Sequence, residues 1–317
     1  MKIGYFLSCE EYGPEELLEQ AAAAERAGFQ GLWISDHYHP WNDEQGHSPF
    51  VWGVIGAISQ VCSLPVTTAV TCPTVRIHPA VIAQAAATAG ALLNDGFILG
   101  VGSGEALNEH ILGDPWPTAD RRLEMLEEAV ALIRELWTGE VVSWEGKHYR
   151  VDHARIYDLP ETPPEIYVSG FGPQAIDVAA EIGDGYINTA PDAEMVQRFK
   201  KGSGGKPAQA GAKVAFAPSA DEGWEHAHRL WSNSGLPGEL AQVLPNPEHF
   251  EQASSLVTLE STQESVVAGS DPKIHLKQIQ QYDDAGYDAL YVANMGPHYR
   301  EMIEFYGEQV LPEVTEG

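Results

Sequence analysis

The sequence predicts an α/β fold, a single closed (β/α)8 or TIM barrel that spans residues 1–317. Its 317 residues exceed the roughly 250 that such a barrel typically takes, which leaves room for insertions. Short apolar runs alternate with amphipathic helical patterns from one end of the chain to the other, as repeated βαβ units require. Clusters of titratable residues follow several of these runs directly, where the strands of a barrel end and its chemistry is done.

Eight apolar runs predict the strands, at residues 2–6, 30–35, 65–71, 97–102, 165–169, 185–189, 212–217 and 288–294. Between them, apolar residues at helical spacing predict amphipathic helices over 14–27, 80–93, 119–138 and 174–182. Gly28 ends the first of these helices, since glycine readily takes the left-handed conformation of a helix terminus.

Four segments interrupt the alternation. Insertions are predicted at about 103–118, at 139–164 and at 232–270, and residues 202–211 are predicted to be an exposed, turn-rich link. Segment 139–164 alternates apolar and polar residues around a Glu145-Gly146 turn, which predicts a hairpin ahead of the fifth strand. Segment 232–270 is the longest insertion and is the candidate lid or specificity element.

Charge and composition exclude several classes of protein. A formal net charge of -28 repels nucleic acid and anionic membranes, so we expect neither as a partner. It fits a host with high internal salt, where the Debye length falls to about 3 Å at 1 M, and also an ordinary acidic bacterial protein. No apolar run reaches the roughly 18 residues of a membrane span, and Met1 leads straight into a strand pattern, which predicts a cytoplasmic protein. The three cysteines have no CxxC spacing, which predicts reduced thiols and no structural zinc.

The first candidate cluster is residues 35–41, after the second apolar run. His37 has the side chain best suited to accept a hydroxyl proton near neutral pH, Asp36 can orient a ring, and Trp41 can cover a planar ligand. A plain alternative is a histidine that only caps a helix or satisfies a carbonyl. His37 and His39 also resemble the HxH pair of metal-dependent barrel hydrolases, but no other strand end supplies the remaining ligands, so no metal is predicted.

The second candidate cluster follows the fourth apolar run and contains Gly102, Ser103, Gly104, Glu105 and Asn108. Glycines there let a flat ligand lie against the backbone. Glu105 can act as a general acid if burial raises its pKa, and a merely exposed glutamate is the alternative.

A third candidate cluster, residues 169–173, opens the helix over 174–182. Backbone N–H groups at a helix N-terminus can hold phosphate, although an ordinary tight turn has the same pattern. Glu10, after the first strand, and Trp231 are predicted to reach the same opening. The residues of this cluster predicted to bind a cofactor are Ser169, Gly170, Phe171 and Gly172.

Over nearly its full length the chain resembles the luciferase-like barrels that use the deazaflavin F420. The resemblance is to the branch that contains F420-dependent glucose-6-phosphate dehydrogenase and F420-dependent secondary alcohol dehydrogenase. It is carried by residues 4–6 with Ser8 and Glu10, and by 35–41, 71–74 with Arg76, 79–84, 100–109, 169–173 and 183–185.

The resemblance implies a role for each main site residue. Asp36 would contact the deazaflavin, and His37 would be the base that takes the substrate hydroxyl proton. Glu105 would donate a proton or hydrogen bond near N1 as hydride arrives at C5. Trp41 would shape the substrate pocket, and Glu10 would line its substrate side.

The resemblance also implies a cofactor wall at the third strand, formed by Ala69, Val70 and Thr71. The branch has a non-proline cis peptide there, which corresponds to Ala69-Val70 in this chain. Together with the glycines and with Asn108, these residues complete the predicted F420 site, and FMN is the alternative cofactor.

Two positions depart from the branch where the glucose 6-phosphate enzymes carry basic residues. The stretch after Thr189, itself a predicted pocket residue, has Asp192 where a lysine is expected, and residues 248–253 also lack the expected lysine. An acid near a phosphate dianion repels it, so we expect glucose 6-phosphate to be a poor substrate and an uncharged alcohol or sugar to be preferred. The rival hypotheses are an FMN-dependent monooxygenase or reductase on the same barrel and a metal-dependent hydrolase. The family further suggests a homodimer.

Overall fold

The computed structural model describes residues 1–315 as one closed parallel barrel with additions at its mouth. Eight strands form the barrel in the order β1-β2-β3-β4-β7-β8-β9-β11, and β11 pairs with β1 to close it. The strands are β1 Lys2–Leu7, β2 Leu32–Ile34, β3 Val66–Thr68, β4 Phe97–Val101, β5 Val142–Glu145, β6 Arg150–Ala154, β7 Glu165–Ser169, β8 Gly185–Asn188, β9 Ala208–Ala215, β10 Val267–Ala268 and β11 Ala289–Asn294. The predicted barrel is confirmed.

Helices surround the barrel and lie in the insertions at its mouth. They are α1 Pro14–Ala27, α2 Val51–Ile58, α3 Pro79–Leu92, α4 Ala106–Glu109, α5 Ala119–Leu136, α6 Pro173–Ile182, α7 Ala193–Ser203, α8 Ala220–Trp231, α9 Leu240–Val243, α10 Pro247–Ser254, α11 Leu259–Ser265, α12 Pro272–Asp284, α13 Tyr299–Phe305 and α14 Leu311–Thr315. Gly28 ends α1 with φ of 95°, as predicted. Among residues 1–315, no helix is both long and apolar enough to span a bilayer.

The prediction for the seventh barrel strand was wrong at its start. The strand runs over Ala208–Ala215, so residues 208–211, predicted to be an exposed link, are buried in the barrel wall. Ala208, Ala210 and Gly211 are small because the interior is already filled: a Cβ on Gly211 would come within 2.5 Å of the Trp33 ring. Gln209, the larger residue of this half, accepts a hydrogen bond from Trp33 Nε1 at 2.8 Å. Such a stretch has no apolar run to reveal it.

The insertion before the fifth barrel strand is the predicted hairpin, formed by β5 and β6. One carboxylate, that of Glu128 on α5, accepts hydrogen bonds from the indole Nε1 of Trp144 at 3.2 Å and from the backbone N–H groups of His148 and Tyr149 at 3.0 and 2.9 Å. The Tyr149 hydroxyl then donates to the backbone oxygen of Thr74 at 3.0 Å. The hairpin thereby fastens the loop that follows β3.

The insertion after α8 covers the loop that follows β2. It contains α9, α10 and α11, and Phe250 of α10 packs edge-on against Trp41 with ring centroids 5.0 Å apart. Glu251 accepts a hydrogen bond from the backbone N–H of Asp43 at 3.0 Å. The predicted lid position is therefore a folded cap on the segment that carries the first candidate cluster.

Candidate active site

His37 lies at the centre of the barrel mouth, between two carboxylates. Its Nε2 is 3.3 Å from Glu10 Oε1 and 3.8 Å from Glu105 Oε1. The Trp41 ring lies at 60° to the imidazole with centroids 5.0 Å apart. The structure thus brings together the four residues predicted to be catalytic, from the loops that follow β1, β2 and β4. Two carboxylates beside one ring nitrogen stabilise the imidazolium that forms when His37 accepts a proton.

Nδ1, the other ring nitrogen of His37, has one neighbour that accepts hydrogen bonds and one that donates them. The backbone oxygen of His39 lies 3.2 Å from Nδ1 and requires a proton there, whereas the amide Nδ2 of Asn108 lies 3.0 Å away and requires a lone pair. A ring that carries its proton on Nδ1 bonds His39 and leaves Nε2 free to accept a substrate proton. The tautomer of this ring therefore decides whether it can act as a base.

Asn108 connects the first two predicted clusters. Its Oδ1 accepts hydrogen bonds from the backbone N–H groups of Tyr38 and His39, at 2.8 and 3.1 Å, which fixes the orientation of the amide. Its Nδ2 then points toward His37 and donates to Glu105 Oε1 at 2.5 Å. The assignment of this buried residue to the cofactor site stays a prediction, and in the structure its amide holds the loop that carries His37 in place.

Glu10 is buried and remains the charged partner of His37. Burial alone raises the pKa of this carboxyl, but His37, Lys213 and a hydrogen bond from the Ser35 hydroxyl at 2.7 Å outweigh burial and lower it. A carboxylate at this depth requires such partners. Glu10 is therefore an anion next to His37.

Lys213 of β9 is a site residue that the sequence analysis missed. Its Nζ lies 3.3 Å from the centroid of the Trp231 ring, a cation–π contact. Burial lowers the pKa of this ammonium to about 8, although Glu10 and Glu11 favour its charged form. The available signal was a lysine inside a strand of small and apolar residues, where a charge is kept only if it is paired.

Glu11 is a second residue that the sequence analysis missed. Burial raises the pKa of its carboxyl to about 7, against the opposing hydrogen bonds from Trp231 Nε1 at 2.6 Å and the Gly296 N–H at 2.5 Å. This carboxyl therefore titrates close to neutrality, directly beside Glu10 in the chain.

Two predicted pocket residues occupy places other than expected. The Trp231 side chain is fully buried, so it supports Lys213 and Glu11 from below rather than lining an open pocket. Thr189 is exposed at the end of β8, and its backbone oxygen accepts a hydrogen bond from the Tyr282 hydroxyl at 2.9 Å. The structure therefore gives Thr189 a position at the rim of the mouth.

Asp36 belongs to a buried ionic network that the sequence analysis did not foresee. The guanidinium of Arg76 lies 2.7 Å from Asp36 Oδ1 and 3.4 Å from Glu109 Oε1, and the Thr71 hydroxyl donates to Asp36 Oδ2 at 2.8 Å. Burial raises the pKa of Glu109 to about 7 even with Arg76 beside it. One arginine thus contacts two buried carboxyls under the predicted cofactor wall.

The wall itself has the shape that a planar ring system requires. The Ala69-Val70 peptide bond is cis, as the resemblance implied, and both residues are half-buried at the mouth. A Cβ on Gly102 would come within 2.8 Å of Val70, and one on Gly104 within 2.5 Å of the Cys72 sulfur. Only glycines leave the backbone this close to the wall, so these residues fit the deazaflavin ring.

The third predicted cluster, residues 169–173, lies at the start of α6. The Tyr186 hydroxyl donates to the backbone oxygen of Gly170 at 2.7 Å, and Gly172 is the N-cap without a side-chain hydrogen bond. Phe171 is 58% exposed. Free N–H groups at this helix start and an exposed aromatic ring suit a long anionic cofactor.

The HxH pair does not form a metal site in the structure. His39 directs its Nδ1 to the backbone oxygen of Leu107 at 2.9 Å, away from His37. Among residues 1–315 the group of ligand side chains close enough to share an ion lies elsewhere, behind the loop after β11.

The barrel, its cis peptide wall and the His37 cluster define the class to which the chain belongs. The chain is a member of the luciferase-like monooxygenase family, whose model matches residues 1–289. Two relatives of similar sequence within that family are dehydrogenases. An F420-dependent glucose-6-phosphate dehydrogenase of Nakamurella multipartita is 36% identical over 329 residues, which cover 99% of this chain and 96% of the relative. An F420-dependent hydroxymycolic acid dehydrogenase of Mycobacterium tuberculosis is also 36% identical, with 98% and 88% covered.

The fold is also similar to that of a solved structure. An F420-dependent secondary alcohol dehydrogenase in complex with an F420-acetone adduct superposes with a TM-score of 0.91 at 28% identity, over 98% of each chain. An EDTA monooxygenase from Chelativorans sp. BNC1 superposes with a TM-score of 0.75 at 15% identity, which shows the shared fold alone.

Proposed function

We propose that this chain is an F420-dependent dehydrogenase that acts on the CH–OH group of an uncharged secondary alcohol or sugar. The observation that carries the proposal is the placement of His37 between Glu10 and Glu105, beside Trp41 and the cis peptide wall. The dehydrogenase relatives support it, because they match nearly the whole chain at 36% identity.

The residues divide the chemistry between two sides of the mouth. When bound, F420 supplies the hydride acceptor at C5, or the donor in its reduced form. His37 takes the proton of the substrate hydroxyl at Nε2, and Glu10 stabilises the resulting imidazolium. Glu105, whose side chain is 27% exposed at the same opening, would donate a proton or a hydrogen bond near N1 on the cofactor side. Trp41 excludes water from the reacting carbon.

The cofactor site would be built from the wall, the glycines and α6. Ala69 and Val70 would face the ring, with Asp36 and Thr71 buried behind them. Gly102 and Gly104 would lie against the ring, and Ser103 would border it. Residues 169–172, at the start of α6, would hold the anionic tail. FMN is the competing occupant of this site.

The charges at the mouth support an uncharged substrate. Glu10 and Glu105 are carboxyl groups beside His37, and Glu11 is a third carboxyl group close to Lys213. Asp192, where a lysine was expected, accepts a hydrogen bond from the Met195 N–H at 3.1 Å as the cap of α7. A phosphate dianion therefore meets carboxylates, and loss of a charge-assisted contact costs about 1.5–3 kcal/mol. We expect glucose 6-phosphate to be turned over poorly.

Titration of the purified protein with F420 and, separately, with FMN tests the cofactor assignment. Cofactor fluorescence is followed at low salt and at molar salt. Binding of F420 at micromolar concentration or tighter, without binding of FMN, supports the proposal and justifies a screen of alcohols and sugars. A preference for FMN would overturn it and move the chain to the flavin enzymes.

His37→Ala tests the assigned base. We expect F420 binding to be retained and turnover to fall by roughly 100- to 10,000-fold, as when a general base is removed. His249→Ala, an exposed histidine in α10, is the matched control and should leave turnover unchanged. Equal turnover in the two variants would contradict the assignment of His37 as the base.

A further inference from the structure

A second cluster of ligand side chains lies outside the barrel mouth. Glu222 and His226 are four residues apart on α8, and His298 precedes α13, so the cluster joins two distant parts of the chain. One ligand atom from each side chain lies within 4.8 Å of the others. We propose that these three residues bind a divalent transition-metal ion of the zinc type.

The helical spacing gives the first two ligands their common direction. Residues four apart lie on one face of a helix, about 5–6 Å apart at Cβ, so Glu222 and His226 point the same way from α8. His298 meets them there, with Nε2 3.0 Å from Glu222 Oε1 and its ring centroid 5.7 Å from that of His226. Ligand atoms around zinc are roughly 3.4 Å apart for tetrahedral bonds of about 2.1 Å. Small side-chain rotations close the remaining gap.

An unsatisfied buried atom points independently to a ligand. Within the described residues 1–315, the Nδ1 of His226 is buried without a hydrogen-bond partner. A buried polar atom without a partner costs about 1–3 kcal/mol, so such atoms are rare unless something binds there. The ring also packs closely on the loop after β11, because a Cβ on Gly296 would come within 3.0 Å of it.

The donor set and its charge select the ion. Two imidazoles and one carboxylate suit zinc and its first-row neighbours, whereas calcium and magnesium prefer oxygen ligands throughout. Glu301, 3.9 Å from His298, adds a negative charge at the edge of the cluster.

The consequence of binding would reach the candidate active site through Gly296. Its N–H donates to Glu11 and its carbonyl oxygen accepts from the Tyr12 hydroxyl at 2.7 Å. A metal bound by α8 and His298 would hold this loop, and through it Glu11, in one position. The site uses no cysteine, so the cysteine spacing that predicted no structural zinc could not reveal it.

Metal titration of tag-free, chelator-treated protein tests the proposal without reference to activity. We expect one equivalent of Zn²⁺ in isothermal titration calorimetry and a visible absorption band when Co²⁺ is added. Saturating Zn²⁺ should also raise the thermal unfolding midpoint, because an ion that binds only the folded state stabilises it.

Substitution of the proposed ligands tests where the ion binds. Loss of an outer-sphere partner weakens metal binding about 10- to 100-fold, so His226→Ala, which removes a ligand, should weaken it by at least about 100-fold. Glu222→Gln should also weaken it and serves if His226→Ala does not fold. His228→Ala is the matched control on the same helix, since His228 bonds Thr262 at 3.2 Å instead. The absence of zinc binding in the parent protein would overturn the proposal. Zinc binding that His226→Ala leaves unchanged and His37→Ala abolishes would also overturn it.

Discussion

Arg76→Met is the most informative single change below the candidate active site. Arg76 is 6% exposed, and its guanidinium contacts Asp36, which is fully buried, and Glu109, which is 1% exposed. Methionine keeps much of the volume of the side chain and removes its charge. Both carboxyls then remain buried without their cation.

The expected loss follows from burial. Removing one partner of a buried ion pair costs about 3–5 kcal/mol, because the remaining charge cannot regain water. Domains of this kind are stable by about 5–15 kcal/mol, so the change should remove about a fifth or more of the total. The loss should grow with pH. Glu109 already titrates near 7, and without Arg76 its pKa rises further, so its charged form becomes more costly above neutrality and is largely avoided at pH 5.5.

Urea unfolding at pH 5.5 and pH 8, at constant salt, measures this effect. The matched control is Arg300→Met, which removes an exposed bidentate partner of Glu19, at 2.6 Å, by the same substitution. The control should lose far less, since water screens exposed pairs. Equal losses in the two variants, or a loss at Arg76 that does not depend on pH, would show that water reaches the buried carboxyls and would refute the reasoning.

Further predictions concern packing and titration. Gly100→Ala should destabilise the barrel by about 1–3 kcal/mol or more in urea unfolding, because its Cβ would collide with the Thr68 carbonyl oxygen. Gly53→Ala in α2, where nothing lies within 4 Å, should instead stabilise by about 0.4–1 kcal/mol, and a reversed order would contradict the packing argument. NMR of ¹³C-methylated lysines should show Lys213 titrating at about 8. In Lys213→Met that signal should vanish and the Glu11 midpoint should rise above about 7, since the variant removes a nearby positive charge; an unchanged midpoint would mean that the two groups are not coupled.

Local patterns predicted the barrel and most of the candidate site because each signal lay within a short stretch. His37, Glu10, Glu105 and Trp41 all follow strand ends, and strand ends of a parallel barrel converge in space. The ion pairs of Arg76 with Asp36 and Glu109 could not be predicted from such local patterns. Its partners are 40 and 33 residues away, and no local spacing links them.

The residues that the sequence analysis missed share a second cause. Lys213 lay inside the predicted strand 212–217, which begins at Ala208 in the structure. Its charged partners Glu10 and Glu11 follow the first strand, and no local spacing links them to Lys213. Trp231 was recognised, but its burial depends on these same neighbours and is visible only in three dimensions.

The attachment of the β5–β6 hairpin to Glu128 limits which residues of the hairpin can be substituted. Loop tips normally accept substitution and insertion more readily than any other part of a domain. Here the turn residue Gly146 lies so close to Glu128 that any Cβ would collide with its carboxylate and come within 2.5 Å of the Trp144 indole nitrogen. The tip is therefore the fixed end of the insertion, and sequence drift in related chains should collect instead in the exposed strand β6.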